Sequence, residues 1–202
     1  MLGSAFNPPH VGHLELAQEA HAQLGLSGVV LMPTGRAPHK EIESDPGAVL
    51  RLQMTRLAVD GDERMSVSEL ETERDEPSFM FRTLELLAEQ RPDQELVLVL
   101  GADAAAGLES WRSPERILEL ARLGIAGRPG VDPSRVEAVL AALGGAGRAE
   151  RIEMPAIEVS SSMVRERVAA GRPIRYLVPD AVASLIAERG LYRGAEGRAA
   201  GE

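Results

Sequence analysis

The apolar positions of this chain fall into two kinds of run. Val29-Val30-Leu31-Met32 and Leu96-Val97-Leu98-Val99-Leu100 are continuous and short, and they end at Pro33 and Gly101. Such runs predict strands buried on both faces, as in a parallel sheet covered by helices on each side. Between them the apolar residues recur at helical spacing. Leu14, Ala17, Ala20 and Leu24 predict a helix over 9–24, stopped by Gly25. Leu50, Met54, Leu57 and Ala58 predict another over 48–59. Further helices are predicted over 83–90, 114–121, 133–143, 162–169 and 180–189, and further strands over 65–70, 123–126 and 152–154. A short apolar segment opens the chain at 1–5, with only two residues before Gly3; a start upstream of Met1 would lengthen this first strand. Strands alternating with helices predict one α/β domain over 1–192, with a doubly wound, mostly parallel sheet, helices on both faces and a small C-terminal helical part. Residues 193–202 are small, polar and Gly-rich, and are expected to form a disordered tail.

Composition narrows the function. The 202 residues are 44% apolar but only 3% aromatic, so the core must be aliphatic. A net charge of -9 argues against a general nucleic-acid binder. An anionic ligand would need local basic groups and backbone N–H groups. Cysteine is absent, which excludes disulfides, thiolate metal sites and a cysteine nucleophile. No apolar run approaches the ~18 residues of a membrane span, and no signal peptide is visible. A cytoplasmic protein without a membrane partner is expected.

In parallel α/β sheets, ligands bind beyond the carboxyl ends of the strands. The first strand end carries Gly3-Ser4-Ala5-Phe6-Asn7-Pro8-Pro9-His10-Val11-Gly12-His13. His10 and His13 share a face at a helix start, where free N–H groups and the helix dipole attract anions. Metal ligation and a plain structural role are the competing readings of this pair. The second strand end carries Pro33-Thr34-Gly35-Arg36-Ala37-Pro38-His39-Lys40, either a basic loop over phosphates or an ordinary solvated loop. Gly101-Ala102-Asp103 follows the strongest strand; its carboxylate either accepts ribose hydroxyls or caps the next helix. Trp111, the only tryptophan, lies in a polar stretch and is either a stacking platform or core. Near the C-terminus, Ser160, Ser161, Ser162 and Arg165 form a Ser-rich helix start, either a cap or a second anion site.

Together these segments resemble the bacterial nicotinate-nucleotide adenylyltransferases, within the nucleotidyltransferases marked by H-x-G-H. The resemblance runs from Leu2 to Tyr192. Gly3 to His13 is similar to G-G-T-F-D/N-P-x-H-x-G-H, and Val30 to Lys40 to a strand followed by P-x-x-x-x-P-H-K. Ser78 to Leu84 is similar to a weakened S-Y-T-x-D-T-L, and Gly101, Asp103 and Trp111 to G-x-D with a downstream Trp. Val159 to Arg165 is similar to I-S-S-T-x-I-R, and Tyr176 to Pro179 and Leu191-Tyr192 to the closing Y-L-V-P and L-Y. Ser4 and Ala5 depart from the opening Gly and Thr, and Phe79, Met80 and Arg82 from Tyr, Thr and Asp.

The resemblance implies a Rossmann-like fold and transfer of the adenylyl group of ATP to nicotinate mononucleotide, releasing pyrophosphate. It implies ATP binding by Gly3, Ser4, Ala5, Phe6, His10, His13, Gly101, Asp103, Ser161, Ser162 and Arg165. Lys40, Thr83, Leu84 and Trp111 would hold the pyridine nucleotide. His10, His13, Lys40 and Arg165 would stabilise charge in the reaction, and Mg²⁺ would travel with ATP rather than in a protein cage. The chain would act as a monomer or homodimer. The alternatives are an adenylyltransferase for nicotinamide mononucleotide or phosphopantetheine, a non-catalytic nucleotide-binding module, and a metal-binding protein built on the His pair.

Overall fold

The computed structural model describes residues 1–37, 42–127 and 130–194. Six strands form one sheet: β1 (Leu2–Ser4), β2 (Val29–Pro33), β3 (Met65–Val67), β4 (Leu96–Gly101), β5 (Ala121–Ala126) and β6 (Ala149–Ile152). Their order is β3-β2-β1-β4-β5-β6 and every pairing is parallel. The chain therefore winds outward from β1 in one direction and from β4 in the other. The crevice between those two strands is the point where the winding reverses, and a ligand site is expected there.

The continuous apolar run of β4 covers both faces. Leu98 and Leu100 face one core with Met32, Leu123 and Ile125, roofed by α3 (Met80–Gln90), α5 (Pro114–Leu120) and α6 (Pro133–Ala142). Val97 and Val99 face the other core with Leu2, Val29 and Leu31, where Ala17 and Ala20 of α1 (Val11–Gln23) pack. A third cluster joins Met54 of α2 (Ala48–Val59) to Val164 of α7 (Ser161–Ala169) and to Val182, Leu185 and Ile186 of α8 (Asp180–Glu188). This is the small C-terminal helical part. Among the described residues no helix is long and apolar enough to cross a membrane.

The structure differs from the sequence pattern at several places, three of them instructive. The last strand is Ala149–Ile152 rather than 152–154. It is an edge strand with exposed Glu150 and Arg151, so it carries no apolar run. The strand from Met65 stops at Val67 instead of Leu70. The short helix α4 (Ala102–Ala106) has five residues, fewer than two turns, and periodicity could not disclose it. The tail expected at 193–202 lies, from residue 195 on, outside the described residues.

Candidate active site

The chain leaves β1 through a turn fixed by backbone conformation. Phe6 is fully buried with φ 49°, a left-handed value that bulky residues avoid, and a cis peptide bond joins Asn7 to Pro8. His10 is extended and α1 begins at Val11. The His10 and His13 rings stack at 3.8 Å between centroids, and Phe6 meets His13 edge-on at 4.9 Å. Gly12 leaves room for this, since a Cβ there would press on His10 Nδ1 at 3.2 Å.

The hydrogen bonds set the state of His13. The His10 N–H donates to His13 Nδ1 at 3.3 Å, so the neutral ring carries its proton on Nε2, 3.3 Å from Ser4 Oγ. Dense packing around this half-buried ring, and then the neighbouring His10, lower its pKa well below 6.5. His13 is thus an uncharged N–H donor at neutral pH. The N-terminus of α1 is less open than its sequence suggests. The Val11 N–H is taken by the Leu177 carbonyl at 3.0 Å, and the His13 N–H by the His10 carbonyl at 2.9 Å.

Helix α7 returns the chain to the same place. Ser160 caps it by accepting from the Met163 N–H at 3.2 Å. The Ser161 hydroxyl donates to the Pro8 carbonyl at 2.8 Å. Arg165 donates to the Asn7 carbonyl at 3.0 Å, to Ser162 Oγ at 3.2 Å and to Glu43 Oε2 at 2.8 Å. Glu43 is 79% exposed, so its ion pair with Arg165 is weak. Asn7 is locked from both sides. Its amide donates to the Glu43 carbonyl at 2.8 Å, and its Oδ1 accepts from the Tyr192 hydroxyl at 2.7 Å. Burial pushes the Tyr192 phenol up, so it keeps that proton.

Two other strand ends border the crevice. Asp103 is exposed in the first turn of α4, with its carboxylate over Gly101, where a Cβ would lie 2.7 Å from Asp103 Oδ1. Gly35, after β2, presses on the Glu71 carbonyl so closely that a Cβ would come within 2.0 Å of the oxygen. Burial raises the Glu71 pKa, against hydrogen bonds from Thr83, Ser78 and the Gly35 N–H. Half-buried Trp111 packs on the core beside α5, and the Arg112 guanidinium lies 5.0 Å from the Phe79 ring centroid.

Comparison with known proteins places this geometry. A family model described as cytidylyltransferase-like matches residues 1–167. The "Probable nicotinate-nucleotide adenylyltransferase" of Rubrobacter xylanophilus is 38% identical, covering 100% of this chain and 95% of that protein. The protein of the same name from Roseiflexus castenholzii is 43% identical, covering 96% of each. The chain belongs to the cytidylyltransferase-like family, in its nicotinate-nucleotide adenylyltransferase branch. The solved structure of Plasmodium falciparum nicotinic acid mononucleotide adenylyltransferase complexed with NaAD superimposes with a TM-score of 0.79 at 16% identity, covering 95% of each chain. At that identity the likeness is one of fold.

Within this family frame, the structure brings His10, His13, Ser162 and Arg165 to the ends of β1 and α7, around Asn7 and Pro8. Gly101 and Asp103 stand at the neighbouring end of β4. Four expected residues have side chains that are buried or already bonded. Leu84 is fully buried in the core under α3, so it cannot touch a ligand. Thr83 is buried too; its hydroxyl donates to Glu71 Oε1 at 2.7 Å and its N–H to the Phe79 carbonyl at 3.1 Å. Its hydroxyl and N–H hold the start of α3, so the role expected of this segment falls to the neighbouring backbone. The Ser161 hydroxyl is likewise spent on Pro8, which leaves its N–H for an anion. Phe6 is at 0% exposure as a whole residue, so it presents neither side chain nor backbone to a ligand. Lys40 lies outside the described residues.

Sequence reasoning missed Asn7, Arg51, Glu71 and Tyr192. Arg51 had a readable signal, a charge between Leu50 and Leu52, whereas Glu71 stands between Leu70 and Thr72 in an acidic stretch and had none. Nothing in sequence separates Asn7 from other turn asparagines, since its partners are 36 and 185 positions away.

Proposed function

We infer that the chain transfers the adenylyl group of ATP to nicotinate mononucleotide. A phosphate oxygen of the mononucleotide attacks the α-phosphorus, the bond from it to the oxygen bridging to the β-phosphate breaks, and pyrophosphate leaves. The nucleophile is already ionised at neutral pH, so the site needs no protein nucleophile and no strong base. Its work is alignment and charge stabilisation. The observation that carries this reading is the convergence of the neutral His13 donor, His10, Arg165 and the first N–H groups of α7 at the reversal point of the sheet.

Each group has a place in this reading. His13 and His10 face the α-phosphate as charge moves to the leaving group. Arg165, Ser162 and the N–H groups of Ser161 and Ser162 take the β and γ phosphates in exchange for Glu43. Asp103 accepts the adenosine ribose hydroxyls. A 660 Å³ cleft lined by Ala102, Ile125, Ile152 and Met154 is a mostly apolar seat for the adenine. On the other side Trp111 stacks on the pyridine. The N–H groups of Met80 and Phe81 at the start of α3, with Arg112 beside Phe79, favour a carboxylate over an amide. Lys40 serves the reacting phosphates. Mg²⁺ prefers oxygen ligands, which the triphosphate supplies and the imidazoles and guanidinium do not, so it enters with ATP. A cytoplasmic location and a monomeric or homodimeric state complete the proposal.

The test is pyrophosphate release with Mg-ATP and three acceptors in parallel: nicotinate mononucleotide, nicotinamide mononucleotide and phosphopantetheine. Preference for the first is expected. Preference for another acceptor would overturn the pyridine side of the reading, and release with none would replace it by a binding module.

A further inference from the structure

Arg51 is charged and completely enclosed at 0% exposure, and its one bond to a residue expected at the ATP site is to the Ala5 carbonyl. Its guanidinium reaches three stretches of chain at once. Nε donates to Asp45 Oδ1 at 2.8 Å, Nη1 to the Ala5 carbonyl at 2.9 Å and the Thr34 carbonyl at 2.6 Å, and Nη2 to the Gly35 carbonyl at 3.0 Å. Ala5 belongs to the turn after β1, which continues into Phe6, Asn7 and His10. Thr34 and Gly35 follow β2, and Gly35 abuts Glu71, which holds Thr83 at the start of α3. The two loops that Arg51 joins are therefore the ones that lead to the two reactants.

A buried cation with one carboxylate partner is a poor way to gain stability alone, because desolvation offsets much of the attraction. What a guanidinium supplies is a planar fork that bonds several carbonyls at fixed angles. We propose that Arg51 is a positioning residue for adenylyl transfer, setting the distance between the His10–His13 turn and the loop after β2. The proposal rests on the adenylyl-transfer reading above. Because Arg51 contacts neither reactant, its loss acts on their mutual alignment and hence on kcat. Affinity for either substrate, which each loop provides on its own, changes little.

The experiment compares wild type with Arg51→Lys and Arg51→Met. For each, kcat per folded molecule and both KM values are measured at 25 °C, beside thermal unfolding. Lysine keeps the charge but not the fork, and methionine keeps much of the volume without donors. The expected result is a loss of tenfold or more in kcat for Arg51→Lys, a larger loss for Arg51→Met, and KM values within about threefold of wild type. Lowered melting temperatures with wild-type kcat per folded molecule would make Arg51 a stability residue and overturn the proposal. If neither variant folds, Asp45→Asn decides, since it weakens one arm and leaves three carbonyl bonds. A severalfold kcat loss at unchanged KM supports the proposal, and unchanged kcat overturns it. Wild type without turnover on any acceptor sinks the adenylyl-transfer reading and this proposal together. An active wild type with an equally active Arg51→Lys sinks this proposal alone.

Discussion

Replacing His13 by alanine tests the centre of the site. The imidazole is held by the His10 N–H on Nδ1, by Ser4 beside Nε2, and by ring contacts with His10 and Phe6. In the proposed reaction its working group is the Nε2 proton, which would turn from Ser4 to a phosphate oxygen of ATP. Deleting a preorganised donor of this kind lowers kcat by about 10²–10³, or roughly 2.7–4 kcal/mol of transition-state stabilisation. The same truncation removes part of a half-buried ring, which costs about 1–3 kcal/mol of folding stability. Urea unfolding must therefore accompany the kinetics, so that kcat is referred to folded enzyme. The assay is pyrophosphate release at saturating Mg-ATP and nicotinate mononucleotide. His13→Asn, which keeps a short N–H donor, should recover part of the loss. Wild-type kcat in the alanine variant, or an effect confined to the KM for ATP, would refute a role in the transition state.

Three further outcomes are expected. Because the His13 pKa lies below that of the unfolded chain, the unfolded state takes up the proton first as pH falls below about 6.5. Stability is then complete above that pH and is lost on acidification, by at most about 1.4 kcal/mol per pH unit for one proton. Urea midpoints at pH 7.5 and 5.5 should differ more in wild type than in His13→Asn, and equal differences would count against the buried neutral ring. Gly35→Ala drives a Cβ to within 2.0 Å of the Glu71 carbonyl oxygen, so the loop after β2 must move. A fall in kcat with a lowered thermal midpoint is expected, and an unaffected enzyme would show that this contact yields freely. Tyr192→Phe removes the donor to Asn7 Oδ1, in a residue only 1% exposed, and should cost about 1–3 kcal/mol in chemical denaturation. A denaturation midpoint equal to wild type would mean that another donor replaces the phenol.

Much of the fold was legible because it is written in local periodicity. The run at Leu96–Leu100 is apolar at every position, and a strand of that kind must be covered on both faces; the structure divides it between two cores. The helices over α1, α2 and α6 followed from spacing and from stops such as Gly25. What escaped was structure with a weak local signal: the half-exposed edge strand β6 and the five-residue α4. The candidate site shows the same division. Residue types and order at Gly3–His13 and Ser160–Arg165 pointed to anion binding and to a family, because those segments are contiguous in the chain.

The sequence by itself determined the layered α/β architecture, the aliphatic core and the candidate residues for the chemistry, since each depends on neighbours within one or two turns. Only the tertiary structure decided which of those residues are free to meet a ligand. A hydroxyl or N–H is available or spent according to partners far along the chain. Ser161 is spent on Pro8, Val11 on Leu177 and Thr83 on Glu71, while Arg165 is held by an exposed carboxylate. Arg51 and Tyr192 acquire their significance in the same way. Hydrogen bonding is short-ranged in space, and folding alone determines which distant segments come within 3 Å of one another.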